Sequence, residues 1–524
     1  DWIPALWLRP TEAMTNLPVI GTLNTVFVVT ITIGMGLILL TMIFHMINSL
    51  REKRPGEALF DIYTEERQRR GTSMAETSLK KQIMSGMVWK FAERFIAQGV
   101  SFVVSLVLAR ILMPSDYGII AIINVFITIA DVLLTSGLNT ALIQKQDVDE
   151  LDFSTIFYCN FILGMGLYAI LFVAAPFLAT AYKMPLLKQA IRVFAIRLPI
   201  SSFQSIQTAY ISRKMDFKRF FFSTIIGTLV SAVVGIVMAL KGAGVWALIA
   251  QYLTNTIIDT LFLFVTVRWH PRLMFSWKRA KPLIAYGSKV MMTDLIGTIF
   301  NNLGDFIVGL RYTTADLAYY TKGKQLPMLL KTNISTALIS VLFPGMSQVN
   351  DENEKVKILS RQSVRMLSYI IFPLMAGMMV VARPLTIVLY TSKWIAMVPF
   401  VWVVCLEAVI SVPGTVALQC VKAVGRSDMM LYSEFVKKPI FLISIFVALH
   451  FGIMAVALTL PVNALIELVI NSYMTGKTIR YHIGEILADA FPAFALSALM
   501  GAAVYGISLL SWHNLVLELF VQVI

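Results

Sequence analysis

Apolar residues run in blocks of about 20 along this chain, separated by short polar turns. A helix rising about 1.5 Å per residue crosses a hydrocarbon core of about 30 Å with such a block. The pattern predicts spans at 18–48, 91–113, 117–142, 154–181, 189–212, 220–240, 244–267, 284–310, 317–345, 366–390, 395–420, 430–450, 453–475 and 486–511. A last apolar piece, 514–524, is too short to cross, so the chain is expected to stop inside its final helix.

The connections form two alternating sets. "RKMDFKR" (213–219), "RWHPRLMFSWKRAK" (268–281), "KVKILSRQSVR" (355–365), "KAVGR" (422–426) and "GKTIR" (476–480) are basic. "YKMPLLK" (182–188), "KGAG" (241–244), "YTSKW" (390–394) and "LHFG" (449–452) are short and nearly uncharged. Such alternation predicts that the basic set, and with it the residue-74 side, is cytoplasmic, in a multi-pass membrane protein. The composition agrees: 57% of residues are hydrophobic and 14% charged, too greasy for a water-soluble chain of 524 residues. The net charge of +14 follows from this topology and from attraction to anionic lipid, so no nucleic-acid partner is expected.

Other chemistry is thin. Cys159, Cys405 and Cys420 fall inside predicted spans and form no disulfide framework. The five histidines sit at span ends or in loops, with no metal-site spacing. No glycine-rich nucleotide loop appears, so neither a metal, a cofactor nor direct use of ATP is expected.

One turn occurs twice. "LARILMPSDYGIIAI" (108–122) and "VGLRYTTADLAYYTK" (308–322) each close an apolar run with an Arg, make a short turn through an Asp, and reopen. Glu93 lies 17 residues before Arg110 and Asp294 lies 17 before Arg311. Asp131 lies 15 after Asp116 and Lys331 lies 15 after Asp316. The series predicts an all-α polytopic fold of two pseudo-symmetric six-helix bundles around a central cavity, with further C-terminal helices and one extra N-terminal helix. The lobes would be 74–281 and 282–475, with helices 13 and 14 in 476–524. Residues 1–73 would be an additional anchor and charged linker, since "MAETSLKKQ" at Met74 reads like a start.

Charges inside spans need a partner or a wet cavity. The spacing places Glu93, Arg94, Asp131, Asp294 and Lys331 deep, as an inner gate or ion-coupling layer. Asp131 and Lys331 occupy matching positions with opposite signs, and can pair across the cleft or each find a neighbour in its own lobe. Nearer the other face lie Asn301, Asn302 and Asp305, then Lys322, Lys324 and Gln325. Ammonium groups beside amides suit a phosphate or diphosphate. With Arg94, Gln98 and Arg197 they form the candidate substrate cavity, Arg192 and Arg197 sharing one helix kinked near Pro199. Asp259, Glu407 and Glu467 are carboxylates suited either to carrying coupled protons or to structural pairing.

"LARILMPSDYGIIAIINVFI", "ALIQKQDVDELDFSTIFYCN", "SIQTAYISRKMDFKR" and "GAGVWALIAQYL" resemble polysaccharide exporters of the Wzx type, in particular those similar to the colanic-acid exporter. "VLFPGMSQV" (341–349) and "KAVGRSD" (422–428) fit too, so the resemblance covers about 74–524. It implies the multidrug/oligosaccharidyl-lipid/polysaccharide superfamily fold. It also implies transfer of undecaprenyl-diphosphate-linked oligosaccharide from the cytoplasmic to the periplasmic leaflet of a bacterial inner membrane, coupled to H+ or Na+. Membrane lipids and other membrane proteins of polysaccharide assembly are the remaining expected partners. A multidrug antiporter of the same fold is the nearest rival, disfavoured by the Lys and Arg residues. A polymerase or ligase would need a large outer loop that the sequence lacks, so no enzyme is expected.

Overall fold

The structure, a computed structural model, describes residues 74–508 apart from 146, 215, 268 and 349–351. The expected span 18–48, its linker and the piece 514–524 lie outside the described residues. Everything regular in the described residues is helical. The α-helices are α1 (Met74–Ile111), α2 (Pro114–Thr135), α3 (Gly137–Gln144), α4 (Glu150–Ala181), α5 (Pro185–Phe194), α6 (Arg197–Lys214), α7 (Phe217–Leu240) and α8 (Val245–Thr266). They continue as α9 (Trp277–Arg311), α10 (Thr314–Gln348), α11 (Asn353–Tyr390), α12 (Val398–Ala423), α13 (Ser427–Ala448), α14 (Ile453–Ile479) and α15 (Ile483–Ser508). A 3-10 turn, Ser392–Met397, joins α11 to α12.

The chain divides into two compact units between Val107 and Leu108. In the first, α1 carries Glu93, buried and ion-paired to Lys90 at 2.9 Å, with Arg94 exposed one residue on. All else concerns the second unit.

There the repeated turn recurs as geometry. Asp116 accepts the backbone N–H of Met113 at 3.1 Å, closing the start of α2. Asp316 accepts the N–H of Thr313 at 3.2 Å and its hydroxyl at 2.7 Å, closing the start of α10 in the same way. A carboxylate in the first turn also meets the positive end of the helix dipole. The two turns touch. A Cβ on Gly118 would lie 1.9 Å from the carbonyl oxygen of Thr314, so only glycine fits there. Elsewhere along α2–α3, Gly137 and Gly287 meet backbone to backbone, where an added Cβ would come within 2.5 Å of the Gly287 oxygen. Small residues permit such close approach of membrane helices. These contacts mark two rims: a turn rim at Gly118 and Thr314, and a basic rim at Gly137 and Gly287.

Two expected spans are broken. Residues 189–212 divide into α5 and α6 at Ala195 and Ile196. Pro199 has no N–H to give the Ala195 carbonyl, which accepts from Leu198 instead at 2.9 Å. Arg192 therefore ends α5 while Arg197 begins α6, so they do not share a helix. Residues 117–142 divide at Ser136, ahead of the Gly137 contact.

Ten spans among the described residues are long and apolar enough to cross a membrane. The helices α6, α10 and α13, at 18, 35 and 22 residues, are not among them. They bear Arg197, then Lys322, Lys324 and Lys331, then Glu434, Lys437 and Lys438. Charged residues inside such helices need partners or a wet cavity. The molecule is an all-α, multi-pass membrane protein.

Candidate functional site

Of the charges expected to lie deep, Asp131 and Lys331 settle into two ion pairs of reversed polarity. Asp131 on α2 meets Arg197 on α6 at 2.9 Å. Lys331 on α10 meets Glu407 on α12 at 2.6 Å. Asp131 and Lys331 thus do not pair with each other here. The repeat gives them opposite signs, and each is matched by a nearby helix in its own half of the chain. Neither pair is fully satisfied: Asp131 Oδ1, Arg197 Nε and Glu407 Oε2 are buried without a hydrogen-bond partner among the described residues. Such atoms are expensive away from water.

The shallower layer gathers on α9 and α10. Lys324 pairs with Asp305 and lies 4.1 Å from the centre of the Tyr320 ring. Lys322 donates to Gln325 Oε1 at 3.0 Å and stands 4.4 Å over the Tyr117 ring. Asn302 is turned back on its own helix, donating to the Thr298 carbonyl at 2.8 Å. Asp294 is exposed. Gln98 lies half-buried on α1, in the first unit.

Above this layer the turn rim is bound shut. Arg110 donates to the carbonyls of Val388 and, at 2.8 Å, Leu389. Lys393 donates to those of Arg110 at 2.7 Å and Leu112 at 2.6 Å. Trp394, fully buried, donates its indole N–H to Ala109 at 2.9 Å. Its ring is flanked by Tyr117, Tyr319 and Tyr390 at 5.4, 6.0 and 6.1 Å.

A polar cavity of about 100 Å³ opens between α9, α13 and α14, lined by Asn301, Lys437, Lys438, Asn463 and Glu467. Sequence reasoning had reached Asn301 and Glu467 but passed over Lys437 and Lys438. The signal was available, because two adjacent lysines in the middle of an apolar span lie as deep as Lys331. The other carboxylates are engaged: Asp259 accepts Ser223 Oγ, and Glu407 holds Lys331. Arg192 lies over Phe172, 4.0 Å from its ring centre, away from these groups.

Taken together, the geometry is that of a membrane carrier whose helices hold ion-paired lysines and an arginine among polar amides. The chain belongs to the polysaccharide biosynthesis protein family, whose model matches residues 107–399. It is 23% identical over 359 residues to the succinoglycan biosynthesis transport protein ExoT of Rhizobium meliloti (strain 1021), covering 68% of this chain and 73% of that one. The teichuronic acid biosynthesis protein TuaB of Bacillus subtilis (strain 168) is 23% identical over 439 residues, 83% of this chain and 91% of its own. The lipopolysaccharide biosynthesis protein WzxC of Escherichia coli (strain K12) is 22% identical over 428 residues, 80% and 85% of the two chains. Among solved structures, the lipid II flippase MurJ in an inward closed conformation superposes with a TM-score of 0.65 at 12% identity, covering 83% of this chain and 95% of its own. An inward-facing multidrug resistance transporter of the MATE family gives 0.56 at 12% identity, over 80% and 98%. The fold is therefore one that a lipid II flippase and a multidrug resistance transporter also adopt.

Proposed function

We propose that the protein is an exporter of the flippase type. It moves an undecaprenyl-diphosphate-linked oligosaccharide repeat unit from the cytoplasmic to the outer leaflet of the bacterial inner membrane, for surface polysaccharide assembly. The reading rests on one observation: α6, α10 and α13, which are not among the ten apolar spans, carry Arg197, Lys322, Lys324, Lys331, Lys437 and Lys438, most of them held by carboxylates on neighbouring turns or helices. A diphosphate and a hydroxyl-rich head cannot cross hydrocarbon unaided, and ammonium and guanidinium groups are their natural partners. The polyprenyl tail needs no such passage. The names of the relatives support a cargo bound for polysaccharide assembly, and the MurJ-like fold supports a lipid-linked one. A cationic drug would meet repulsion from the same lysines, which disfavours the antiporter reading.

In this mechanism residues 74–281 and 282–475 act as two lobes, with 476–524 added behind them. The basic rim faces the cytoplasm and the turn rim faces outward. Lys322, Lys324 and Gln325, with Asn302 and Asp305 on the neighbouring helix, receive the diphosphate head, and Arg197 lines the approach. The pairs Asp131–Arg197 and Lys331–Glu407, with Glu93 and Asp294, form the gate or ion-coupling layer, worked by an H+ or Na+ gradient.

Deletion in the host cell tests this. Lipid-linked repeat units should accumulate in the cytoplasmic leaflet while surface polysaccharide disappears, and the intact chain should reverse both. Normal delivery of repeat units to the outer leaflet without the protein would overturn the proposal.

A further inference from the structure

The cavity between α9, α13 and α14 lies at mid-membrane by three independent counts. Asn301 is ten residues from the end of α9, Lys437 ten from the start of α13, and Asn463 ten from the start of α14. Each is therefore about 15 Å from a helix end, half of a core about 30 Å thick.

Its cations already have partners. Lys437, only 6% exposed, donates to Asn471 Oδ1 at 2.8 Å and lies 3.7 Å from Glu434. Lys438 lies 3.5 Å from Glu434 and 4.8 Å from the centre of the Phe300 ring. The groups left over are of another kind. Glu467 and Asn301, both exposed at the mouth of the cavity, make no hydrogen bond or ion pair with any described residue. Asn463 spends its N–H groups on Ser444 Oγ at 2.9 Å and the Thr459 carbonyl at 2.6 Å, leaving its Oδ1 unmatched. The cavity thus presents a carboxylate, an amide oxygen and a whole amide, beside the rings of Phe300 and Phe441, whose centres are 6.4 Å apart.

A metal cation there would face two ammonium groups, and a free anion would face Glu467 with Glu434 close by. A neutral polyol meets neither difficulty. Its hydroxyls donate to Glu467 and Asn463 Oδ1 and accept from Asn301, while a C–H face rests on a phenyl ring. About 100 Å³ is the space of several waters, so the hydroxyl edge of one sugar ring can enter it while the rest of the head stays outside. We infer that this cavity is a sugar subsite, holding one ring of the oligosaccharide head and setting which repeat unit is carried. The inference deepens the flippase reading and rests on it.

The test uses the full chain in lipid nanodiscs. The probes are bare undecaprenyl diphosphate and undecaprenyl diphosphates bearing a single hexose, N-acetylhexosamine or hexuronic acid. At least one sugar-bearing probe should bind about tenfold more tightly than the bare lipid, the worth of a hydrogen bond to a charged acceptor. Glu467→Gln and Phe300→Leu should each collapse that ratio to near one. Phe300→Leu keeps the apolar volume, so it serves if Glu467→Gln fails to fold. A ratio near one for the whole panel, a ratio that survives both substitutions, or Na+ binding at Glu467 in place of sugar would overturn the inference. If no probe binds, bare lipid included, the flippase reading itself fails, which is a separate result.

Discussion

Arg110 and Lys393 hold each other's helices across the turn rim. The Arg110 guanidinium caps the last carbonyls of α11, and the Lys393 ammonium caps the last carbonyls of α1, including that of Arg110 itself. Each cation satisfies oxygens that a helix end leaves open, at the negative pole of the helix dipole. The exchange needs both partners in place, so parting the helices exposes four carbonyls and two cations at once. That makes the rim an all-or-none closure.

Weakening this closure should open the rim. In a chain with Cys159, Cys405 and Cys420 replaced by alanine, a cysteine at Thr321 reports access from the turn-rim side. Trp394→Ala removes a fully buried indole, a change of about 3–5 kcal/mol in packed sites. Labelling by a membrane-impermeant maleimide should speed up at least about tenfold, and Lys393→Met should act in the same direction. Unchanged labelling in both would show that the rim is no gate.

Gly118 makes a sharper demand. With the Thr314 oxygen 1.9 Å from any added Cβ, even Gly118→Ala must push α2 from α10. Overpacking of this kind costs about 1–3 kcal/mol. The thermal midpoint of the purified protein should fall and Thr321 labelling should rise together; an unaltered midpoint would contradict the packing described.

The deep ion pairs predict which charge swaps compensate. Lys331→Glu should abolish transport and adding Glu407→Lys should restore part of it, because the pair is re-formed with reversed sign. Adding Asp131→Lys should restore nothing, since Asp131 belongs to Arg197. Glu407→Gln alone should destabilise by about 3–5 kcal/mol, the usual result of stranding one buried charge. Rescue by Asp131→Lys would show that the pairing seen here is not the one transport depends on.

Asp489 on α15 receives Arg361 at 2.8 and 3.1 Å, Arg365 at 2.9 Å and the Tyr481 hydroxyl at 3.0 Å. Asp489→Ala should release α15 from α11, and trypsin should then cut faster after Arg480, which already sits in a left-handed backbone conformation. Cleavage at the wild-type rate would mean that apolar contacts alone hold α15.

Much of this was legible because membrane spans obey a length rule and because an Asp-capped turn has a local signature. The turns at Asp116 and Asp316 were readable as a repeat for that reason, and they recur as matching caps. The pairing of Asp131 and Lys331 was not readable. A repeat offset aligns residues within each half but carries no information on their neighbours, and Arg197 and Glu407 come from helices the offset does not single out. The breaks at Ala195 and Ser136 were hidden because each stretch has the length of a single span: Pro199 signals a fault but acts one turn upstream, on the Ala195 carbonyl, and the polar run at Thr135–Thr140 carries no charge to mark a turn. Lys437 and Lys438 were readable in kind, as charges in mid-span, but their role appears only once α9 and α14 bring Asn301, Asn463 and Glu467 beside them.

Transfer between leaflets is the most direct measurement. The purified chain, reconstituted in vesicles carrying a fluorescent undecaprenyl-diphosphate oligosaccharide, should let a membrane-impermeant quencher reach label that began in the sheltered leaflet. An H+ or Na+ gradient should accelerate the exchange and Lys331→Glu should stop it. Exchange no faster than in protein-free vesicles, with the protein folded and bare lipid diphosphate bound, would contradict the assignment as a flippase.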